Sequence, residues 1–301
     1  MNNTYAVIDV GTNNILFLIA SLTNNKLNIL HRDSNISALG KNMKNRFLTE
    51  SAIRRTKIIL KKNTSYAKLV TDNVIVVGTS CSREAKNIDI LKNWLKKKFN
   101  LNYNIISGEQ EAYFNGLANL MEFNEFENIL MFDVGGGSTE FTFLKKGSII
   151  SNQSINLGIR RLENSYRNNY EGKIKSTREI LRTLDPPGFN NFILVGIGGT
   201  VTSLSSVKYK LQKYDGNIIH KSQLTNTELK NMLNRFRKMT NKKIAELMPF
   251  EPYRSDIITT GTMIVSEILD FFSAEKFYVS DRGIQFGVLY QNKKELQKML
   301  S

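Results

Sequence analysis

The sequence predicts an α/β protein of two domains. Three observations lead there. The chain has 301 residues, more than one ordinary core needs and well suited to two. Its apolar pattern switches repeatedly between short strand-like runs and longer amphipathic stretches. A nine-residue pattern, AVIDVGTNN from Ala6, returns as LMFDVGGGS from Leu130. The aspartates Asp9 and Asp133 lie 124 residues apart (133 − 9), too far for a solenoid repeat and right for a duplicated domain. We place the domains at 1–124 and 125–301, with the last helix free to pack back on the first domain.

The elements follow in order. YAVID, ILFLIA and KLNIL read as strands, with polar turns at GTNN and TNNK between them. Between Thr49 and Leu69 the apolar residues Ile53, Ile58, Leu60 and Leu69 sit among lysines and arginines, as in an amphipathic helix. VIVVG is a short buried strand, IDILKNWLKKKF a helix with a basic face, NYNII a strand, and GEQEAYFNGLANLM a helix opening after Gly108. In the second domain ILMFD, EFTFL and SIISNQSI form another meander. Helices are expected near Gly158–Tyr166 and Lys173–Leu184, then a DPPG turn, the strand FILVG and the segment IGGTVTSL. Further helices are expected near Thr227 and over Ile257–Phe272. KFYVS is a strand, and DRGIQFGVLYQNKKELQKML reads as one C-terminal helix.

Composition narrows the chemistry. At 41% hydrophobic and 23% charged residues the chain can bury a core. A net charge of +15 points to a polyanionic partner. Lys41–Arg46, Lys96–Lys98 and Arg160–Arg161 are the candidate walls of a basic groove. The single cysteine, Cys81, allows no internal disulfide and fits a reducing compartment. One cysteine and two histidines are too few for a His/Cys metal site, so any metal is a hard cation on carboxylates. The N-terminus lacks a basic region and a long apolar run, and no stretch approaches the ~18 apolar residues of a membrane span. The expectation is a cytoplasmic protein with no membrane partner and, lacking an aromatic-interleaved basic motif, no specific nucleic acid.

The Asp-Gly hairpins carry the functional signal. A tight turn of Gly, Thr and Asn lets backbone N–H groups converge on an anion without a Cβ in the way. Thr12, Asn13, Ser138 and Thr139 add side-chain donors. Asp9 and Asp133, at strand ends, suit Mg2+ directly or through water. GIGGT at Gly196–Thr200 follows a strand and precedes a helix, a setting that favours phosphate. No GxGxxG or GxxxxGK[ST] stretch occurs. Two facing copies would bring both hairpins to one cleft.

DVGTNN, TSCSREA, ISGEQEA, DVGGGSTE, GIGGT and VSDRG occur in that order over nearly the whole chain. Together they resemble the exopolyphosphatase/guanosine pentaphosphate phosphohydrolase (Ppx/GppA) family, in its short form without a C-terminal helical domain. That family belongs to the sugar kinase, Hsp70 and actin superfamily. The resemblance implies two ribonuclease-H-like (actin-like ATPase) domains, mixed sheets flanked by helices, with the active site in the interdomain cleft. It implies Glu111 as the base that activates water, with Glu109 as a lesser candidate, and Arg83 as a phosphate grip. It implies Asp133, Asp9 and Glu140 around the metal. The implied phosphate loops are Gly11, Thr12 and Asn13; Gly135, Gly136, Gly137 and Ser138; and Gly198, Gly199 and Thr200. Arg254 and Asp256 match a polar pair that we read as structural, and Asp281 and Arg282 are read as capping the last helix.

The expected reaction is release of terminal phosphate from inorganic polyphosphate, pppGpp or both. The resemblance implies Mg2+ as cofactor, K+ as an activating ion, and a homodimer acting in the stringent response. A non-catalytic sensor of polyphosphate or of guanosine penta- or tetraphosphate, and a kinase of the same superfamily, are the alternatives. The chain departs from the family pattern at Asn14, Cys81 and Gln110, and at Gly283–Gly287, where an Arg and a Glu are lost. Asn14 and Gln110 are expected to touch the site, and the last change to affect domain packing.

Overall fold

The computed structural model describes residues 4–23, 26–188 and 191–300. The chain forms two compact units. One runs to Ala118 and takes in the residues from Ile284 onward; the other is Asn119–Gly283. The expected TNNK turn includes Asn24 and Asn25, which lie outside the described residues.

The first unit opens with β1 (Thr4–Val10), β2 (Asn14–Thr23) and β3 (Lys26–Ile36), then α1 (Glu50–Lys68) and β4 (Val74–Gly78). α2 (Ser80–Glu84), α3 (Asp89–Phe99), β5 (Tyr103–Ile105) and α4 (Gly108–Asn119) follow. The sheet order is β3-β2-β1-β4-β5. β1 pairs antiparallel with β2 and parallel with β4, so Asp9 stands opposite Leu16 on one side and Val77 on the other. Thr49 starts α1, its hydroxyl accepting from the Ala52 N–H, and Glu50 and Lys68 complement the helix dipole at the two ends. Asn100 stops α3 in the left-handed region at φ 54°.

The second unit holds β6 (Asn128–Val134), β7 (Thr139–Lys145), β8 (Ser148–Ile155), α5 (Ile159–Tyr166) and α6 (Tyr170–Leu181). It continues through β9 (Ile193–Ile197), α7 (Gly199–Lys208), α8 (Gly216–Ile219), β10 (Gln223–Thr225) and α9 (Asn226–Arg237). α10 (Asn241–Leu247), α11 (Ile258–Phe271) and β11 (Lys276–Ser280) complete it. Its sheet runs β10-β11-β9-β6-β7-β8. Read from the other edge, β8-β7-β6-β9-β11 repeats the order of the first sheet, and β10 is an added antiparallel edge. Asp133 stands opposite Glu140 and Ile197, the counterparts of Leu16 and Val77. The duplication inferred from two aspartates therefore extends to strand order and register.

The chain ends in α12 (Ile284–Leu289) and α13 (Lys293–Leu300), where one helix was expected. The break falls at 290–292, after Gly287 has brought the first of the two helices against α4. Gly287 lies against the backbone of α4, where a Cβ would stand 1.8 Å from the Phe114 carbonyl oxygen. Asn292 then starts a new helix, its side chain accepting from the Glu295 N–H. These helices belong to the first unit. The reason is the apolar character of both faces of β1 and β4. Ala6, Ile8 and Val10 pack with Leu60, Leu91 and Leu95 of α1 and α3. Tyr5, Val7, Ile75 and Val77 face the other way and are covered by Phe114, Ile284, Phe286 and Leu296. The altered Gln285-Phe286 pair is buried in this layer, with the Arg32 guanidinium 5.5 Å from the Phe286 ring centre. No helix among the described residues is long and apolar enough to cross a membrane.

Candidate active site

In the first unit the β1–β2 hairpin closes through Gly11, whose N–H donates to the Asn14 carbonyl at 2.9 Å. Thr12, Asn13 and Asn14 are buried, and so is Asp9 at the end of β1. The strap from Ser37 to Gly40 holds the turn from behind. The Ala38 N–H donates to the Asn13 carbonyl and the Gly40 N–H to the Thr12 carbonyl, at 2.8 and 2.9 Å. Asn14, where the family has serine, joins the local network: it accepts from the Asn13 amide at 2.7 Å and donates to Ser34.

β4 delivers the next group. Its end is tied to its neighbours as Thr79 donates to Val10 and Ile106 donates to Gly78. α2 starts there and carries Arg83. One guanidinium nitrogen of Arg83 donates to the Ile106 carbonyl at 2.9 Å and to Glu111 Oε2 at 2.8 Å. Glu111, in the first turn of α4, is buried. Glu109 is exposed, and hydrogen bonds from its own N–H and from Ser107 hold its carboxyl below the usual range. Gln110 is also exposed and serves the helix start. Ser107 accepts from the Gln110 N–H while the Gln110 side chain accepts from the Ser107 N–H, a reciprocal capping box. A glutamate would make the same bond, so this departure from the family pattern is conservative in structure.

The second hairpin repeats the first. The Gly135 N–H donates to the Ser138 carbonyl at 3.0 Å. The carbonyls of Gly135 and Gly136 accept from the N–H groups of Ile159, Arg160 and Arg161 at the start of α5, and the Gly137 carbonyl from Arg161 Nε. Carbonyls held from behind leave the N–H groups of Gly136 and Gly137 without a backbone acceptor among the described residues. Gly158 is needed for this contact, since a Cβ there would stand 2.3 Å from the Gly137 carbonyl carbon. Arg160 and Arg161 are thus parts of the loop's support. Arg160 also forks onto Asp256 at 2.8 and 3.2 Å, so the expectation of a groove wall at these residues is corrected. Lys96–Lys98 form the solvated last turn of α3.

The third loop meets the second. Gly198 lies at φ 85°, ψ 176°, a conformation open to glycine. A Cβ there would come 2.3 Å from Asp133 Oδ1. Thr200 is buried and donates to the Val134 carbonyl at 3.4 Å. Gly199, the first residue of α7, lies against the Arg254 guanidinium, with a Cβ there 1.8 Å from its Nη2. Arg254 is buried and paired with Glu251 at 2.9 Å, and Glu251 accepts from Ser203 at 2.5 Å. The sequence reading took Arg254 as structural; its position puts a buried cation at the start of a candidate phosphate loop. The R-x-D spacing was the signal available, but only packing separates the role of Arg254 from that of Asp256. Asp281 and Arg282 join His220 and Glu122 in a charge cluster: Arg282 reaches Asp281 at 3.1 Å, and His220 reaches Glu122 at 3.0 Å.

For a metal, the informative pair is Asp133 and Glu140. They are direct cross-strand partners, so their side chains share one face of the sheet. Two like charges in that relation repel, and the hydroxyls of Ser138 and Ser154 donate to Glu140 Oε1 at 2.6 and 2.8 Å. Among the described residues no group of three His, Cys, Asp or Glu side chains forms a ready cage. Mg2+ does not require one, because it usually takes one or two carboxylates plus water and substrate phosphate. The carboxylates present fit such an ion.

The profile of the Ppx/GppA phosphatase family matches residues 18–296. A bifunctional 3-dehydroquinate synthase/phosphatase of Fusobacterium nucleatum is 36% identical over 95% of this chain, which spans only 46% of that relative's length. Exopolyphosphatase 2 of Mycobacterium tuberculosis is 30% identical over 87% of this chain and 89% of its own. The crystal structure of the Aquifex aeolicus member of the Ppx/GppA family superposes with a TM-score of 0.79 at 26% identity, over 99% of each chain. Two mixed sheets flanked by helices, related by duplication, are the actin-like ATPase fold that the motifs implied. The chain belongs to the Ppx/GppA phosphatase family.

Proposed function

We propose that the chain releases the terminal phosphate of inorganic polyphosphate, of pppGpp, or of both. The observation that carries this reading is the buried Glu111 carboxylate held by Arg83 at 2.8 Å. A base must be positioned before it can be effective, and this one is fixed by a guanidinium that is itself anchored to the Ile106 carbonyl. Glu111 takes a proton from water as the water oxygen bonds to the terminal phosphorus. The bond from that phosphorus to the bridging oxygen breaks, and the shortened chain leaves with the electron pair. The loops at Gly11–Asn13, Gly135–Ser138 and Gly198–Thr200 hold phosphate oxygens through backbone N–H groups and hydroxyls. Arg83 adds charge-assisted bonds. When bound, Mg2+ supplies positive charge to the phosphate oxygens, and Asp133, Asp9 and Glu140 are the residues that would hold it.

The name of the mycobacterial relative, an exopolyphosphatase, supports the inorganic chain as one substrate. Gln110 and the altered Gly283–Gly287 segment are the departures that favour the sensor alternative, and the capping box gives the first of them a purpose at the start of α4. The test is phosphate release in Mg2+, with and without K+, from long polyphosphate, short polyphosphate and pppGpp side by side. Release from at least one is expected; tight binding with no release from any would reverse the reading. The homodimer belongs to the same proposal, and sedimentation equilibrium tests it.

A further inference from the structure

A cavity of about 330 Å³ in the first unit is lined by Ala38, Lys41, Asn42, Thr49, Ser51 and Arg55. The reaction proposed above makes no use of it. Its volume lies at the small end of ordinary ligand sites, ~300–1,000 Å³. Its lining contains two cations, two hydroxyls and an amide, and no acidic residue. The two cations carry the positive charge of the lining, because Glu50 in the first turn of α1 offsets the positive end of that helix's dipole. Two cations with hydroxyl and amide donors beside them suit phosphate oxygens.

Its place matters as much as its chemistry. Arg55 Nε donates to the Ser37 carbonyl at 2.9 Å, and its Nη2 to the Ala38 carbonyl at 3.5 Å. The same strap holds the first hairpin through the N–H groups of Ala38 and Gly40. Ala38 is kept at φ 46°, in the left-handed region, between these two sets of bonds. One four-residue strap is therefore bonded on one side to the candidate phosphate loop and on the other to the cavity wall.

We infer that this cavity binds phosphate groups of the oligophosphate apart from the end at which the reaction takes place, with Lys41, Ser51 and Arg55 as their partners. The inference rests on the reading of the chain as acting on oligophosphates. Lys41 and Ser51 are exposed, so replacing them leaves the core intact. The test is calorimetric titration without divalent cation, at one fixed salt concentration, of the parent chain, of Lys41→Glu with Ser51→Ala, and of Lys61→Glu, the two variants differing from the parent by the same net charge. Lys61 is an exposed lysine on α1 outside the cavity and controls for general loss of charge. Long inorganic polyphosphate is one ligand and pppGpp the other. The cavity variant is expected to bind at least one of them about tenfold more weakly than Lys61→Glu does. A loss confined to polyphosphate assigns the cavity to the inorganic chain, and a loss confined to pppGpp assigns it to the nucleotide. Equal affinities of the cavity variant and Lys61→Glu for both ligands would overturn the inference. If the parent releases no phosphate from either ligand, the proposed reaction fails while this binding comparison still stands.

Discussion

Arg83 and Glu111 meet at 2.8 Å through the same guanidinium nitrogen that donates to the Ile106 carbonyl. That nitrogen fixes the start of α4 to α2. A lysine carries the charge on a shorter side chain without the rigid guanidinium plane, so its ammonium does not hold both acceptors in the same geometry. Arg83→Lys is expected to lower kcat for phosphate release by about a hundredfold, the scale of a misplacement near 1 Å. Far-UV circular dichroism should match the parent. An unchanged kcat would mean that the pair does not position Glu111.

Gly198 and Asp133 form a second constraint. Gly198→Ala puts a methyl group 2.3 Å from Asp133 Oδ1 and forces alanine to φ 85°. The expected loss is about 1–3 kcal/mol in urea unfolding. Because the carboxylate must also move, the Mg2+ concentration for half-maximal phosphate release should rise. Loss of stability with unaltered Mg2+ dependence would separate Asp133 from the cation.

Gln110 is expected to act on stability rather than chemistry. Gln110→Ala removes half of the capping box and should cost about 1 kcal/mol in thermal unfolding. Gln110→Glu keeps the bond to the Ser107 N–H and should keep parent stability and parent kcat. A large change in kcat for the glutamate variant would return Gln110 to the reacting centre.

Glu122 makes a pH-dependent contribution. The hydrogen bond from His220 is the main cause that lowers its carboxyl from an ordinary 4.5 to about 2, with Arg282 adding to it and partial burial opposing. A folded-state value below the unfolded one means stability that is present above about 4.5 and lost as pH falls toward about 2. Glu122→Gln should therefore be less stable than the parent near pH 6. The gap should close as the pH drops through that window, as followed by urea midpoints. A gap independent of pH would mean that packing, not charge, explains it.

The duplication was legible because Asp-Val-Gly marks the same register position twice: Asp9 opposite Leu16 and Asp133 opposite Glu140. The glycine loops were legible for a similar reason, since glycine is required where backbone must approach backbone or carry a positive φ, as at Gly158 and Gly198. The return of the chain end to the first unit follows from the apolar faces of VIVVG, but which helix supplies the cover depends on tertiary packing. The capping box at Ser107 and Gln110 was written in S-x-x-Q and could have been read. The R-x-D spacing marked Arg254, but its contact with Gly199 was not legible, because it joins the short turn Pro252–Arg254 to a helix start distant in sequence.

The most direct measurement is phosphate release by Glu111→Gln, with polyphosphate binding followed in the same preparation. The amide is nearly isosteric but cannot take the proton of water. Binding should persist while kcat falls by about 10²–10⁴-fold, the usual contribution of a general base. A kcat near that of the parent would contradict the central claim that Glu111 activates the attacking water.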